Sequence, residues 1–349
     1  MCAMTRRLCR LGIVVVLLAA NMVLAAPSHA CACGAAVAPQ GSHATLNHEV
    51  ALVHWDGTTE TIVMQLAMNA TTDNIALVVP TPAPATVASA DKATFVELDS
   101  LSAPQIVKRK HWKPGLALAL AAPHEGAMAA RPPDVVNQVH LGPLEVTTLA
   151  GGDLTGLQKW LSDNGYAIRP EVSDALGPYV RDGWSFVAMR LTSSAPIVGG
   201  LSPVRMTFPS AQLVYPMRLS VAAPNTQQVT VFTLSDHRQQ RTDPDAARQN
   251  TEVQFAANVA NAIHDPLLRE LAGTHGAYLT KIEVNANPEQ ISSDFSFGNA
   301  PNDDAYRQVL VVERDAIIPV DLIALALLVF GGIAATVGFL VVRSRRRRA

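Results

Sequence analysis

Two uncharged apolar runs near the ends of the chain constrain it more than anything between them. The first, Leu11–Ala26, follows Arg6, Arg7 and Arg10. The second, Leu322–Val342, is followed by Arg343, Arg345, Arg346, Arg347 and Arg348. A short apolar stretch after positive charge, closing on small residues, reads as a secretory signal, and Ser28-His29-Ala30 offers a cleavage point before Cys31. The second run has 21 residues. At about 1.5 Å per residue it can cross a hydrocarbon layer of roughly 30 Å. Arginines beyond such a span stay cytoplasmic. The expected organisation is a signal over residues 1–30, an extracytoplasmic domain over 31–316, a transmembrane helix over 317–342 and an Arg-rich cytoplasmic tail over 343–349. The expected location is the cell membrane, single-pass, with the domain outside. A lipidated Cys31 stays open, as does export by the twin-arginine route through Thr5-Arg6-Arg7.

Charge narrows the partners. Of the 27 Lys+Arg, three precede the first apolar run and five follow the second, while 28 of the 29 Asp+Glu lie before Asp321, so the domain between carries a net charge near −9. Such a surface repels polyphosphate, and nucleic acid is not an expected partner. One basic run breaks the pattern: Lys108, Arg109, Lys110, His111, Trp112 and Lys113. It reads first as a solvated loop and second as a contact for an anionic surface such as a headgroup or wall polymer.

Cysteine is scarce. Cys2 and Cys9 fall inside the expected signal, leaving Cys31 and Cys33. Closing a three-residue loop stabilises a fold by only about 1.6 kcal/mol before strain. A local disulfide, free thiols and a soft-metal or redox role, with His43, His48 and His54 nearby in sequence, all stay open.

The apolar pattern predicts strands at Glu49–Trp55 and Thr61–Met68 around Asp56-Gly57, then Ile75–Val79 ending at Pro80-Thr81-Pro82. Helices are expected over Asp91–Ser100, from an Asp153 cap to Gly165, and over Glu171–Val180. Pro114–Pro133 reads as a surface excursion. Further strands are expected at Val135–Val139, Leu144–Leu149, Trp184–Leu191, Val204–Phe208, Leu213–Val221, Val229–Leu234, Tyr278–Val284 and Val309–Val312. Helical segments are expected at Thr251–Ile263 and Pro266–Ala272. Strands and helices come in groups without βαβ alternation, which predicts an α+β fold, mostly antiparallel, with a few packed helices and a C-terminal transmembrane helix. One domain or two subdomains, broken near 114–134 or 150, would both suit the length.

Catalytic signatures are missing from the sequence: no Gly-x-Ser-x-Gly, P-loop or Gly-x-Gly-x-x-Gly occurs, and His48-Glu49 and His124-Glu125 lack the second histidine of HExxH. Asp243 with Asp245, and Glu125 with Asp134, are carboxylates without an evident counterpart, and Asp303-Asp304 reads as a polar turn sooner than a calcium site. No cofactor is expected.

Several stretches in order carry a resemblance: Cys33-Gly34, Trp55-Asp56-Gly57 with Glu60-Thr61, Val78-Val79-Pro80-Thr81-Pro82-Ala83, Trp160-Leu161 with Asn164-Gly165-Tyr166, Gly183-Trp184-Ser185-Phe186-Val187-Ala188, and Leu213-Val214-Tyr215-Pro216-Met217-Arg218-Leu219-Ser220. From Cys33 to Ser220, and more loosely to Val312, the chain resembles the exported bacterial proteins grouped as domain of unknown function 2330. The resemblance implies an exported or membrane-anchored protein and supplies no activity or functional residue. Many such proteins carry a second cysteine a few residues after a Cys-Gly-Gly start, and Cys31-x-Cys33-Gly34 departs from that spacing. The expected function is a non-enzymatic envelope binding or interaction module. A redox or metal-handling protein using Cys31 and Cys33 and a hydrolase with an unrecognised site are the alternatives.

Overall fold

The computed structural model describes residues 35–37, 44–70, 74–115, 144–149, 151–152, 154–166, 168–192 and 202–346. The chain divides into two compact units, Met1–Ala103 with Val139–Gln308, and Pro104–Gln138 with Val309–Ala349.

The elements in chain order are β1 (Ala35–Val37), β2 (Ala44–Trp55), β3 (Thr59–Ala70), β4 (Asn74–Thr81), β5 (Thr86–Ser89), α1 (Lys92–Leu101) and β6 (Gln105–Gly115). There follow β7 (Leu144–Leu149), α2 (Leu154–Asp163), α3 (Pro170–Arg181), β8 (Ser185–Thr192), β9 (Val204–Pro209), β10 (Val214–Tyr215), β11 (Gln227–Ser235) and β12 (Gln239–Arg241). The remainder is β13 (Asn250–Asn258), α4 (Pro266–His275), β14 (Tyr278–Ala286), β15 (Phe295–Asn299), β16 (Tyr306–Arg307), β17 (Val309–Pro319) and α5 (Val320–Arg346).

In the first unit an eight-stranded sheet runs β16-β13-β14-β11-β2-β3-β9-β5, and a four-stranded sheet runs β1-β4-β8-β7. Pairing is antiparallel except between β11 and β2. Successive strand residues face opposite ways, so Ala51, Val53, Ile62, Met64, Val229 and Val231 of the large sheet meet Leu77, Val79, Val187 and Met189 of the small one. Their neighbours Leu52, Val63, Phe232 and Leu234 turn the other way, onto Phe95 and Leu98 of α1 and Leu268 and Leu271 of α4. On the far side of the small sheet, Ala76, Val78, Phe186 and Ala188 pack on Leu157 and Leu161 of α2 and Leu176 and Tyr179 of α3. The result is four layers, helix–sheet–sheet–helix. Strands buried on both faces read as unbroken apolar runs, which is why Ile62-Val63-Met64 and Leu77-Val78-Val79 show little alternation. The α+β class, mostly antiparallel with a few packed helices, is the observed one.

Three local expectations are corrected. Thr251–Ile263 is not a helix: β13 pairs with β14 along Asn250–Asn258, and a bulge between Val253 and Phe255 breaks the two-residue alternation, leaving apolar spacings that mimic a helical face. Leu213–Val221 is not one strand: only Val214–Tyr215 pairs, with Phe295 and Ser296, before a 3-10 turn at Arg218–Ala222. Pro216 has no amide to donate, and the neighbouring amides of Val214, Met217 and Arg218 are taken by side chains. The basic run is not a loop, since residues 108–113 all lie on β6. Residues 116–133, Val135–Val139 and Asp153 lie outside the described residues.

The second unit pairs β6 with β17 in parallel, from Gln105 beside Val309 to Gly115 beside Pro319. Strand β17 runs directly into α5, where Leu322–Leu340 forms a 19-residue apolar stretch long enough to cross a membrane, exposed throughout.

Candidate functional site

The turn after β2 organises one end of the large sheet. The Asp56 carboxylate accepts the amides of Thr58 and Thr59 at 2.9 and 2.7 Å and the Thr58 hydroxyl at 2.9 Å. Although slight burial opposes ionisation, those donors hold its pKa below the usual carboxylate range. Gly57 takes φ +96°, which the turn requires. Trp55 is thereby turned so that its indole N–H donates to Ser210 O at 2.9 Å.

Two residues past that turn, Glu60 is fully buried. Its Oε1 accepts the Val214 amide at 3.0 Å, while Oε2 is buried with no hydrogen-bond partner among the described residues. Burial pushes this carboxyl well above its ordinary pKa, opposed by the Val214 amide and the nearby Ser210 hydroxyl. The contact explains why β10 does not recruit a further strand: its outward amide is already taken.

A second knot holds the Tyr215–Ser220 segment. Asp294 accepts the amides of Met217 (2.7 Å) and Arg218 (3.0 Å), the Arg218 Nε (2.7 Å) and the Tyr179 hydroxyl. The Arg218 guanidinium lies 4.1 Å from the Tyr179 ring centroid and binds Asp182 at 2.7 Å. Burial, then the Asp294 charge, raises the Tyr179 pKa well above the phenol range. This is a closed structural network with every charge paired. Asp243 and Asp245 are likewise committed: Asp243 to the buried Arg241 at 2.6 and 2.9 Å, Asp245 to the amides of Ser292 and Ser293 and to Arg248. Neither serves the other as a catalytic partner.

An open polar site remains. A cleft of about 240 Å³ is walled by Trp55, Ser235-Asp236-His237, Gln239, His275 and Asn299 over a floor of Leu213 and Phe297. His275 ends α4, and its Nε2 lies 3.2 Å from Asp236. Trp55 meets the same imidazole edge-on, with centroids 6.5 Å apart. His237 Nδ1 bonds Asp303 at 2.8 Å, and that hydrogen bond raises the histidine pKa and lowers that of the carboxyl. Gln239 Nε2 donates to Asn299 Oδ1 at 2.8 Å and to Ser235 Oγ and His237 O at 3.1 Å. Behind the wall, His54 is buried between Leu234 O and Thr274 Oγ1, each at 2.8 Å. A carbonyl only accepts, so Nδ1 carries a proton toward Leu234 O, and burial lowers the His54 pKa.

Two imidazoles therefore line the cleft, His237 hydrogen-bonded to Asp303 through Nδ1 and His275 with Nε2 3.2 Å from Asp236. Two carboxylate-backed rings, a glutamine and an asparagine make a site that can donate to and accept from a small polar group. Among the described residues no group of three or more His, Cys, Asp or Glu could hold a metal ion.

The sequence pointed elsewhere. Cys31 and Cys33 lie outside the described residues, as do Glu125 and Asp134. Lys108, Arg109 and Lys110 are exposed on β6, with Trp112 and Lys113 further along the same strand. Asp303 lies in an exposed polar stretch and anchors the cleft rim, bonded to His237 Nδ1 and accepting the Arg238 amide, each at 2.8 Å. The cleft itself was missed because its residues come from five separate stretches. The local signal available was Asp236-His237 after a buried strand.

Fold and site together define an α+β protein with a polar cleft at one end of its larger sheet and a C-terminal apolar helix. Residues 27–298 match the model of a family described as an uncharacterized protein conserved in bacteria, DUF2330, and the chain belongs to that family. No curated protein matches the chain in sequence. Among solved structures, baculovirus P35 superposes with a TM-score of 0.35 at 10% identity, covering 61% of this chain and 76% of that one. A mutated baculovirus P35 after caspase cleavage gives 0.31 at 8%, covering 72% and 98%. Likenesses this slight carry no statement about fold or activity.

Proposed function

We propose that this chain is a membrane-anchored binding module of the bacterial envelope, its globular unit held outside the cytoplasmic membrane and its cleft serving recognition. The observation that carries the reading is α5: a 19-residue apolar stretch, exposed along its length, entered from β17 and left through Arg343 to Arg348. An apolar surface of that length and form has no soluble role, and arginines beyond it favour a cytoplasmic C-terminus. The cleft supports binding over turnover: the one hydroxyl among its lining residues, Ser235 Oγ, accepts from Gln239 and is hydrogen-bonded to neither cleft histidine among the described residues.

The test has two arms. A fluorescent protein and alkaline phosphatase are each fused after Ala349, and a photocrosslinking amino acid is placed at Asn299 or, as a control, at the exposed Gln228. The reading expects fluorescence without phosphatase activity, and an adduct in intact cells from Asn299 and not from Gln228. Phosphatase activity at the C-terminus would reverse the topology, and equal adducts from both positions would remove the cleft as the recognition site.

A further inference from the structure

His54 joins the two elements whose ends bring His275 and Asp236 together. It stands near the end of β2, 2% exposed, in register with Leu234 of β11 on one side and Thr61 of β3 on the other. Its Nδ1 lies 2.8 Å from the Leu234 carbonyl, and Ser235 and Asp236 follow directly as cleft wall. Its Nε2 lies 2.8 Å from the hydroxyl of Thr274, and His275 follows directly as the last residue of α4. The two segments also meet at Gly276, where a Cβ would lie 2.4–2.8 Å from Asp236 atoms. One buried imidazole is therefore bonded to both sides of the cleft's histidine–aspartate pair.

Thr274 has one hydroxyl proton and two neighbours for it. Its Oγ1 is 2.8 Å from His54 Nε2 and 2.7 Å from Leu271 O, one turn back on α4. A carbonyl only accepts, so Nδ1 keeps a proton toward Leu234 whether the ring is neutral or charged. In the charged ring Nε2–H donates to Oγ1, the hydroxyl donates to Leu271 O, and all three contacts are hydrogen bonds. In the neutral ring Nε2 is an acceptor, and the single hydroxyl proton serves either Nε2 or Leu271 O. One of the three contacts then sets two lone pairs against each other. Removing one proton from His54 therefore loosens the last turn of α4 beside His275.

Charges around the ring act in both directions. Burial opposes the charged form most; the Leu234 carbonyl and the Asp56 carboxylate favour it, and His275 and Arg205 oppose it. Arg205 of β9 is itself paired with Glu270 of α4 at 2.7 Å, and His275 with Asp236 at 3.2 Å. The balance lowers the His54 pKa, so the ring changes charge on the acid side of neutrality.

We infer that His54 is a proton-operated clamp on the cleft: its charged ring fixes Thr274 and holds His275 against Asp236, and its neutral ring releases that turn of α4. The inference assigns regulation to the recognition site proposed above and rests on that reading.

The test measures hydrogen exchange in the full chain in detergent micelles from about pH 7.5 to about pH 5, each rate corrected for the intrinsic pH dependence of exchange and referred to α3. The peptide covering residues 271–279 should gain protection about threefold toward acid. Thr274→Val, which keeps the side-chain shape and removes the hydroxyl, should abolish that step, with Thr274→Ala as a second hydroxyl deletion, and Thr274→Ser should retain it. Photocrosslinking from Asn299 in intact cells, over the same external pH range, should rise toward acid more in the unaltered chain than in Thr274→Val. Equal protection at both ends of the range, or a step that survives loss of the hydroxyl, overturns the clamp, and adducts from Asn299 would then leave recognition standing. A step in protection without any Asn299 adduct overturns recognition by the cleft and leaves the clamp as a property of the fold.

Discussion

Glu60 shows how one side chain can join two distant motifs. The segment containing Trp55-Asp56-Gly57 and the one containing Leu213-Val214-Tyr215 look unrelated in sequence, yet a single carboxyl oxygen receives the Val214 amide. A buried amide left without its acceptor costs about 1–3 kcal/mol, so Glu60→Ala should lower stability by about 2 kcal/mol. The pH dependence follows from the direction of the shift. The folded protein holds the Glu60 proton more tightly than the unfolded chain, so this stabilisation is complete below the ordinary glutamate pKa and declines as pH rises toward the folded value. Glu60→Gln keeps an acceptor for Val214 and cannot ionise. Its melting temperature should therefore fall less between about pH 5 and about pH 8 than that of the unaltered chain. An equal or larger fall in the variant would mean that Glu60 is not held protonated by burial.

At the scale of elements, two glycines of similar φ separate backbone strain from close approach. Gly57, at φ +96°, has open space where a Cβ would stand, whereas at Gly276, φ +83°, a Cβ would lie 2.4–2.8 Å from Asp236 atoms, backbone included. Gly57→Ala should cost about 1 kcal/mol for its conformation alone. Gly276→Ala should cost at least about 2 kcal/mol, because α4 or the Asp236 backbone must shift, and the His275–Asp236 pair of the cleft shifts with it. Thermal melts of the two variants decide this; comparable losses would mean that the Gly276 contact relaxes freely. The same elements mark how far sequence reasoning reached. Strands buried on both sides, such as Ile62-Val63-Met64, were legible because burial enforces apolar runs. So was α1, whose Asp91 cap accepts the Ala93 amide at 2.9 Å. Strand β13 was not, because its bulge at Gln254 shifts the alternation and local pattern cannot tell that from a helical face. The cleft was illegible for another reason: Trp55, Asp236, His275 and Asn299 converge only through sheet order, and no spacing along the chain encodes strand neighbours.

At the scale of the whole molecule, the division into units predicts a separable fold. Among the described residues, the three apolar clusters of the first unit draw on positions between Val50 and Phe297 and take none from 104–115 or from the chain beyond Gln308. A chain ending at Gln308 therefore keeps those three clusters and loses β17, α5 and the terminal arginines. It should leave the membrane fraction, and purified in solution it should melt cooperatively within about 3 °C of the full chain in detergent. Retention of the shortened chain with membranes would mean that α5 is not what holds the protein there, and a non-cooperative melt would mean that the first unit depends on the second. If both expectations hold, recognition and attachment are carried by separate parts of the chain. The acidic globular unit then supplies the cleft, while the helix of the second unit holds the protein at the membrane.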